Sequence, residues 1–339
     1  MKQVMPVLFT IVMLISCESE KTKRDRFFLL GNEALEKKEF NTAIEYYDQA
    51  LKIDSDHIFS YNNRGVAKME DGRPYEAIQD YNQALIIDQN YWECLENRAR
   101  AYEKVGKFQS SLEDLDILIR QFPDTAKFLM EKGVILSSME RFTGSYQSFM
   151  DAKELKPSDP EIEVNIATVE FFMDSLENAE KRLQKVIEEY PQLPNAYNTL
   201  NQVYLEQGRY SDALKMISKA LEFRSDDPFF LNNRGFTLLM LDSLNAGLRD
   251  INQSILLDPE NLWAYRNKGI YHLRNQEPEL SMPYLRKSAE SGQKVDQAYY
   301  YLGLAYFDNN QKEKACDAWL NGKKQKDPLS EKSYNAHCQ

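Results

Sequence analysis

Few residues in this chain could do chemistry, and they are scattered. His57, His272 and His337 lie far apart, and none has a second ligand at the spacing a metal site needs. His337 stands beside Cys338, but one imidazole and one thiol are half a metal site, and the expected reading is a solvent-exposed tail histidine. No CxxC pair, HExxH helix, phosphate-cradling glycine loop or GxSxG elbow occurs. Acidic pairs such as Glu188-Glu189 read as solvated helix faces. The formal charge of -11 disfavours a phosphate-binding surface, which needs clustered Lys and Arg. These observations exclude no fold, but they point to a chain without catalytic residues, metal or cofactor, and without a nucleic-acid partner.

The elements that position those residues follow from a 34-residue period running from Arg24 to about Leu329 over nine units. A small residue returns at Gly31, Gly65, Ala99, Gly133, Ala167, Gly235, Gly269 and Gly303, with Asn201 the exception. A second small series follows twelve residues later, at Ala43, Ala77, Ser111, Ser145, Ala179, Ala213, Gly247, Ser281 and Ala315. Two small positions per unit are what paired antiparallel helices need where their backbones cross. No strand pattern or low-complexity stretch interrupts them.

Period and small series together resemble the tetratricopeptide repeat (TPR) family. The aromatics Tyr61, Tyr102, Tyr197, Tyr204, Tyr265, Tyr299 and Tyr306, the series Tyr47, Tyr81, Phe149 and Trp319, and the closing prolines Pro123, Pro157, Pro191 and Pro259 match as well. Leu118 departs from a usual alanine, and Pro278 and Pro283 flank the start of one second helix, where packing is least regular. The resemblance implies an all-α, right-handed α-α superhelix (solenoid) of nine helix pairs over 24–329, behaving as one quasi-linear unit, followed by a capping helix at 330–339.

The N-terminus reads differently. Lys2 precedes an apolar run from Val4 to Ile15, too short for a comfortable membrane span. The ending Leu14-Ile15-Ser16-Cys17 resembles a bacterial lipoprotein signal, which implies cleavage after residue 16 and lipidation of Cys17 with acyl chains such as palmitate. Residues 17–23 form a short linker reaching about 20 Å at most. A membrane partner through the N-terminal lipid follows, and with it a place in the cell envelope. Glu18 does not match an inner-membrane retention signal, so the outer membrane is expected, with the leaflet open.

At the other end, a helix is expected from about Lys312 to Lys324, a turn near Asp327-Pro328, and a tail helix from Ser330 to Cys338. Cys316 and Cys338 each lie eleven residues from Asp327, so an antiparallel pair sets them side by side for a disulfide. Cys94 reads as a small core residue.

Binding remains. The resemblance places the first helix of each unit on the concave surface. Its lining then includes Phe59, Asn62 and Val66; Met130 and Val134; Thr168 and Phe171; Phe229, Asn232 and Phe236; and Trp263, Arg266 and Ile270. Aromatic residues on such a stripe point to a groove for an extended or helical protein segment, or to very tight closure of the superhelix. Asn63, Asn97, Asn165, Asn233 and Asn267 occupy one further repeat position, where amides hold a peptide backbone or serve the repeat alone. The clamp of chaperone-binding TPR domains is incomplete: Asn32 and Asn63 match, but Phe28, Glu93 and Asn97 replace its basic residues. The expected function is a membrane-anchored scaffold that binds protein or peptide partners in an envelope assembly or secretion complex. The alternative is an adaptor that recruits or regulates an envelope hydrolase or protease.

Overall fold

The computed structural model describes residues 19–338. Cys17 and the signal segment lie outside them. The described chain is an all-α solenoid of helix pairs with a final capping helix. The first pairs are α1 (Glu20–Glu36) and α2 (Phe40–Ile53), α3 (Ile58–Glu70) and α4 (Pro74–Ile87), α5 (Trp92–Lys104) and α6 (Phe108–Gln121), and α7 (Ala126–Ser138) and α8 (Phe142–Leu155). Then come α9 (Pro160–Phe172) and α10 (Leu176–Glu189), α11 (Pro194–Glu206) and α12 (Tyr210–Phe223), α13 (Pro228–Met240) and α14 (Leu244–Leu257). The last are α15 (Leu262–Arg274) and α16 (Pro278–Ala289), α17 (Ala298–Asp308) and α18 (Lys312–Lys324), and the cap α19 (Pro328–His337).

The helix pairs group into two compact units, one ending at Leu155 and the other beginning at Lys156, where a single array was expected. Within each unit, successive first helices touch one another, as α1 touches α3 and α13 touches α15. The first helices thereby form a layer of their own.

Local chemistry sets the helix ends. Prolines at the first helical position open α9, α11 and α13, where the missing N–H costs nothing. The carboxylates of Asp159, Asp227 and Asp327 cap α9, α13 and α19 by accepting from free backbone N–H groups. The turn inside each pair needs one left-handed residue. Gly72, Gly106 and Gly208 supply it without strain, whereas Lys38, Glu140, Asp174 and Asp242 adopt it with φ between 57° and 60°.

The small series does what its spacing requires. A Cβ added to Gly65 would lie 2.5 Å from Tyr81 Cε1, so the ring seats directly on the glycine backbone. Tyr47, Phe149 and Trp319 sit in the same way on Gly31, Gly133 and Gly303. Asn201, the exception, is wholly buried and bridges helices: its Nδ2 donates to Ala213 O at 3.1 Å and to Thr237 Oγ1 at 3.0 Å.

Three boundaries differ from expectation. Helix α1 begins at Glu20 under a Ser19 cap, so much of the expected linker is helical. The irregularity expected where α16 starts lies instead at its end. Pro278 opens α16 and Pro283 sits inside it, but the helix stops at Ala289, and Gly292 and Gln297 then take left-handed φ values before α17. Helix α19 starts at Pro328, two residues early. The Cys316–Cys338 disulfide closes α19 onto α18, with Cα atoms 5.7 Å apart. His337 is solvent-exposed as expected, with one side of its ring tilted against the last pair, 4.8 Å from Phe307 and 5.6 Å from Trp319. Cys94 is buried as expected, and burial pushes its thiol up to about 12.

Candidate functional site

Large apolar groups normally leave water, so those exposed on the first-helix layer mark where a ligand could be held. Phe229 is 51% exposed at the start of α13 and Phe59 is 48% exposed at the start of α3. Val134 on α7 is also exposed. Val66, Met130, Thr168, Phe171, Phe236, Trp263 and Arg266 are partly buried. Phe59 belongs to an aromatic run, its ring 5.7 Å from His57 and 5.6 Å from Tyr91. Thr168 spends its hydroxyl on the Val164 carbonyl of its own helix, at 2.9 Å.

Four expected contact residues are closed to a ligand. Asn62, Asn232, Asn267 and Ile270 are 6%, 3%, 1% and 3% exposed. Their side chains fill seams between neighbouring helices, because the repeat offset that selects the layer's open face also reaches its edges. The amides are engaged with one another. In the first unit Asn97 Nδ2 donates to Asn62 Oδ1 at 2.9 Å, Asn62 to Asn63 at 3.0 Å, and Asn63 to Asn32 at 2.8 Å, where the Tyr47 hydroxyl also donates. In the second, Asn267 donates to Asn232 at 2.8 Å, Asn232 to Asn233 at 3.3 Å, and Asn233 to Asn198 at 2.8 Å. Each relay ties together three successive first helices. Asn165 on α9 is partly buried and lies outside both relays.

Among the described residues, no group of three or more His, Cys, Asp or Glu could hold a metal ion, and no helix is long and apolar enough to cross a membrane. Paired helices at a 34-residue period, small-residue crossings and first helices in mutual contact within each unit define a repeat, and tetratricopeptide-repeat profiles match residues 25–57, 60–91, 97–160, 173–229 and 266–330. The chain belongs to the tetratricopeptide repeat family.

Relatives of this TPR chain include Hsp70-Hsp90 organizing protein 2 of Arabidopsis thaliana, 25% identical over 270 residues that cover 77% of this chain and 40% of that protein. The Hsp70-Hsp90 organizing protein of Triticum aestivum is 24% identical over 290 residues, 83% of this chain and 40% of its own length. The chain thus spans two fifths of the length of these relatives. Among solved structures, a tetratricopeptide repeat protein from Parabacteroides merdae superposes with a TM-score of 0.57 at 17% identity, covering 83% of this chain and 98% of that one. A chain of the APC/C hetero-tetramer Cut9-Hcn1 gives 0.59 at 15% identity, covering 84% and 55%. At these identities the likeness is one of fold.

A set of ion pairs inside the TPR units escaped the reading of sequence. Arg64 grips Asp80 at 2.9 and 2.6 Å, Arg98 grips Asp114 at 2.8 and 2.6 Å, and Arg234 grips Asp250 at 2.6 and 2.9 Å. Each joins a first helix to its second through a two-point fork. The signal was available: an arginine followed sixteen residues later by an aspartate, recurring on the 34-residue period. In α9 and α10 the polarity reverses, with Arg182 on the second helix holding Glu170 and Glu163.

Proposed function

We propose that this chain is a non-catalytic scaffold that holds extended segments of partner proteins on its first-helix layer. The observation that carries the reading is the pair of exposed phenylalanines, Phe59 and Phe229, standing at one repeat position in the two units. A side chain of that size half in water on an ordered helix is poorly used unless a ligand covers it. Membership of a family whose relatives include organizing proteins named for Hsp70 and Hsp90 supports a protein partner. Their chaperones are not carried over, because Phe28, Glu93 and Asn97 stand where the resemblance would require basic residues.

In the finer reading, Cys17 carries lipid and the scaffold serves an assembly or secretion complex at the outer membrane. The support is sequence alone: Lys2, the apolar run from Val4 to Ile15, and Ser16-Cys17. With α1 starting at Glu20, three residues after that cysteine, a lipid on Cys17 would hold the helical layer close to the membrane surface. The test is in-cell crosslinking and mass spectrometry of the native chain against a folded Phe229→Asp, Phe236→Asp, Trp263→Ala variant. Loss of a defined partner set in the variant is expected. An unchanged set would move the interaction off this face, and recovery in the soluble fraction of a chain whose Cys17 is unmodified would remove the lipid anchor.

A further inference from the structure

The second unit holds a cation that its own fold leaves unpaired. Partly buried arginines elsewhere in the described residues, namely Arg24, Arg64, Arg73, Arg98, Arg182 and Arg234, each contact a carboxylate. Arg266 on α15 does not. Its Nε and Nη2 both donate to the Asn267 amide oxygen at 3.0 Å, and Nη1 donates to the Asp296 main-chain carbonyl at 2.8 Å. The Asp296 carboxylate acts on it only from beyond ion-pair distance. Of the five N–H groups of a guanidinium, two are left without a protein acceptor.

Its surroundings make that costly. The guanidinium carbon lies 5.4 Å from the centre of the Phe236 ring, and burial lowers the affinity of Arg266 for its proton, whereas carboxylates raise that of Arg64, Arg98 and Arg182. A half-buried charge that its own fold leaves without a carboxylate is placed to take one from a ligand. Apolar side chains share its surroundings, with Trp263 one turn before Arg266 on α15, and Phe229 and Phe236 on α13, which touches α15.

We propose that Arg266 receives the side-chain carboxylate of a glutamate or aspartate inside an extended partner segment whose apolar neighbours lie against Trp263 and Phe229. The occupant is an acidic-apolar stretch of a partner protein, and charge complementarity selects it: a planar guanidinium with free N–H groups matches a carboxylate at two points. A side chain is chosen over a chain terminus because apolar residues lie one turn before Arg266, at Trp263, and against its guanidinium, at Phe236, so that a segment can extend on either side of its acidic residue. This assignment rests on the proposed binding face and adds the chemistry that the face reads.

The test is selection of random peptides, displayed internally in a loop and separately with free C-termini, on the full chain and on Arg266→Gln, Arg266→Lys and Phe229→Asp variants. Internal peptides with one fixed acidic position beside apolar residues are expected. Their affinity should fall tenfold or more with Arg266→Gln and less with Arg266→Lys. An apolar consensus lacking an acidic position, or an acidic preference untouched by Arg266→Gln, overturns the assignment and leaves the binding face standing. Enrichment confined to free C-termini overturns the choice of a side chain. Equal enrichment on Phe229→Asp, or none on any chain, overturns the binding face itself. The consensus from the unaltered chain decides the matter even if a variant fails to fold.

Discussion

Helices α3 and α5 of the first unit lie five periods before α13 and α15 of the second, and α3 and α13 share the tetrapeptide Asn-Asn-Arg-Gly, at 62–65 and 232–235. Both regions carry an amide relay, an arginine fork to the second helix, and an exposed phenylalanine five residues before that arginine, at Phe59 and Phe229. They part company one repeat further on. The position held by Arg266 in α15 is held by Glu96 in α5, and Glu96 is already satisfied, by Lys127 Nζ at 2.6 Å and Arg100 Nη2 at 2.5 Å. One slot is closed by the protein's own charges and the other is left open. The shared features hold helices together. The feature that differs is the one a ligand would meet, and this is how a repeat can vary its recognition without disturbing its packing.

The sharpest way to break the comparison is to treat two arginines alike. In Arg98→Gln the Asp114 carboxylate, 2% exposed, loses its fork, and a buried charge without its partner costs about 3 kcal/mol or more. In Arg266→Gln no carboxylate is abandoned and an amide donor remains for Asn267, so the expected cost stays below about 1 kcal/mol. Urea midpoints, with hydrogen exchange resolving α5–α6 from α15–α16, give both values. Equal losses would make Arg266 a structural residue like Arg98 and dissolve the contrast.

Truncating the relays should produce a smaller difference. Asn267→Ala leaves the buried Asn232 oxygen without its donor and strips Arg266 of the amide oxygen that two of its N–H groups use, for an expected loss of about 2 kcal/mol. Asn97→Ala also orphans a buried oxygen, on Asn62, but Asn97 is only partly buried and water can replace it, so about 1 kcal/mol is expected. The same exchange and urea measurements rank the pair, and the reverse order would mean that the first unit's relay carries more of its packing than burial indicates.

These contrasts also mark what the sequence made legible. Helix pairs, crossings and cap followed from a strict period, because a helix of fixed length with small residues at fixed offsets has one way to stack on its copy. The Cys316–Cys338 pair was legible for a similar reason: equal distances from a turn place two residues side by side. The relays were not, because they depend on Asn62 and Asn63 being adjacent in one helix and on partners 31 and 35 residues away, a geometry that repeat position alone does not specify. The open state of Arg266 was invisible as well. Sequence shows that an arginine is present, but only packing shows that the carboxylate nearest in effect, Asp296, stays beyond ion-pair distance. The grouping into two units has no signal in the period, which runs through Leu155 and Lys156 unchanged.

The smallest effect should come from acid, at the closed slot of the first unit. Glu131 lies beside the closed slot, 3.3 Å from Arg100 Nη2, and burial holds its carboxyl above the usual glutamate value, with Arg100 pulling in the other direction. An acid whose folded value is raised binds its proton more tightly in the folded chain than in the unfolded one. Its contribution to stability is therefore complete below the unfolded value of about 4.3 and disappears as pH climbs through the raised folded value. Glu131→Gln should remove that increment, so the difference in urea midpoint between the variant and the native chain should change with pH across this window and flatten above it, by less than about 1 kcal/mol in all. Arg266 keeps its charge throughout, so Arg266→Gln should show no such pH-dependent difference. A slope of the same sign and size in both variants would trace the titration to carboxylates common to the two units and leave the closed and open slots electrostatically alike.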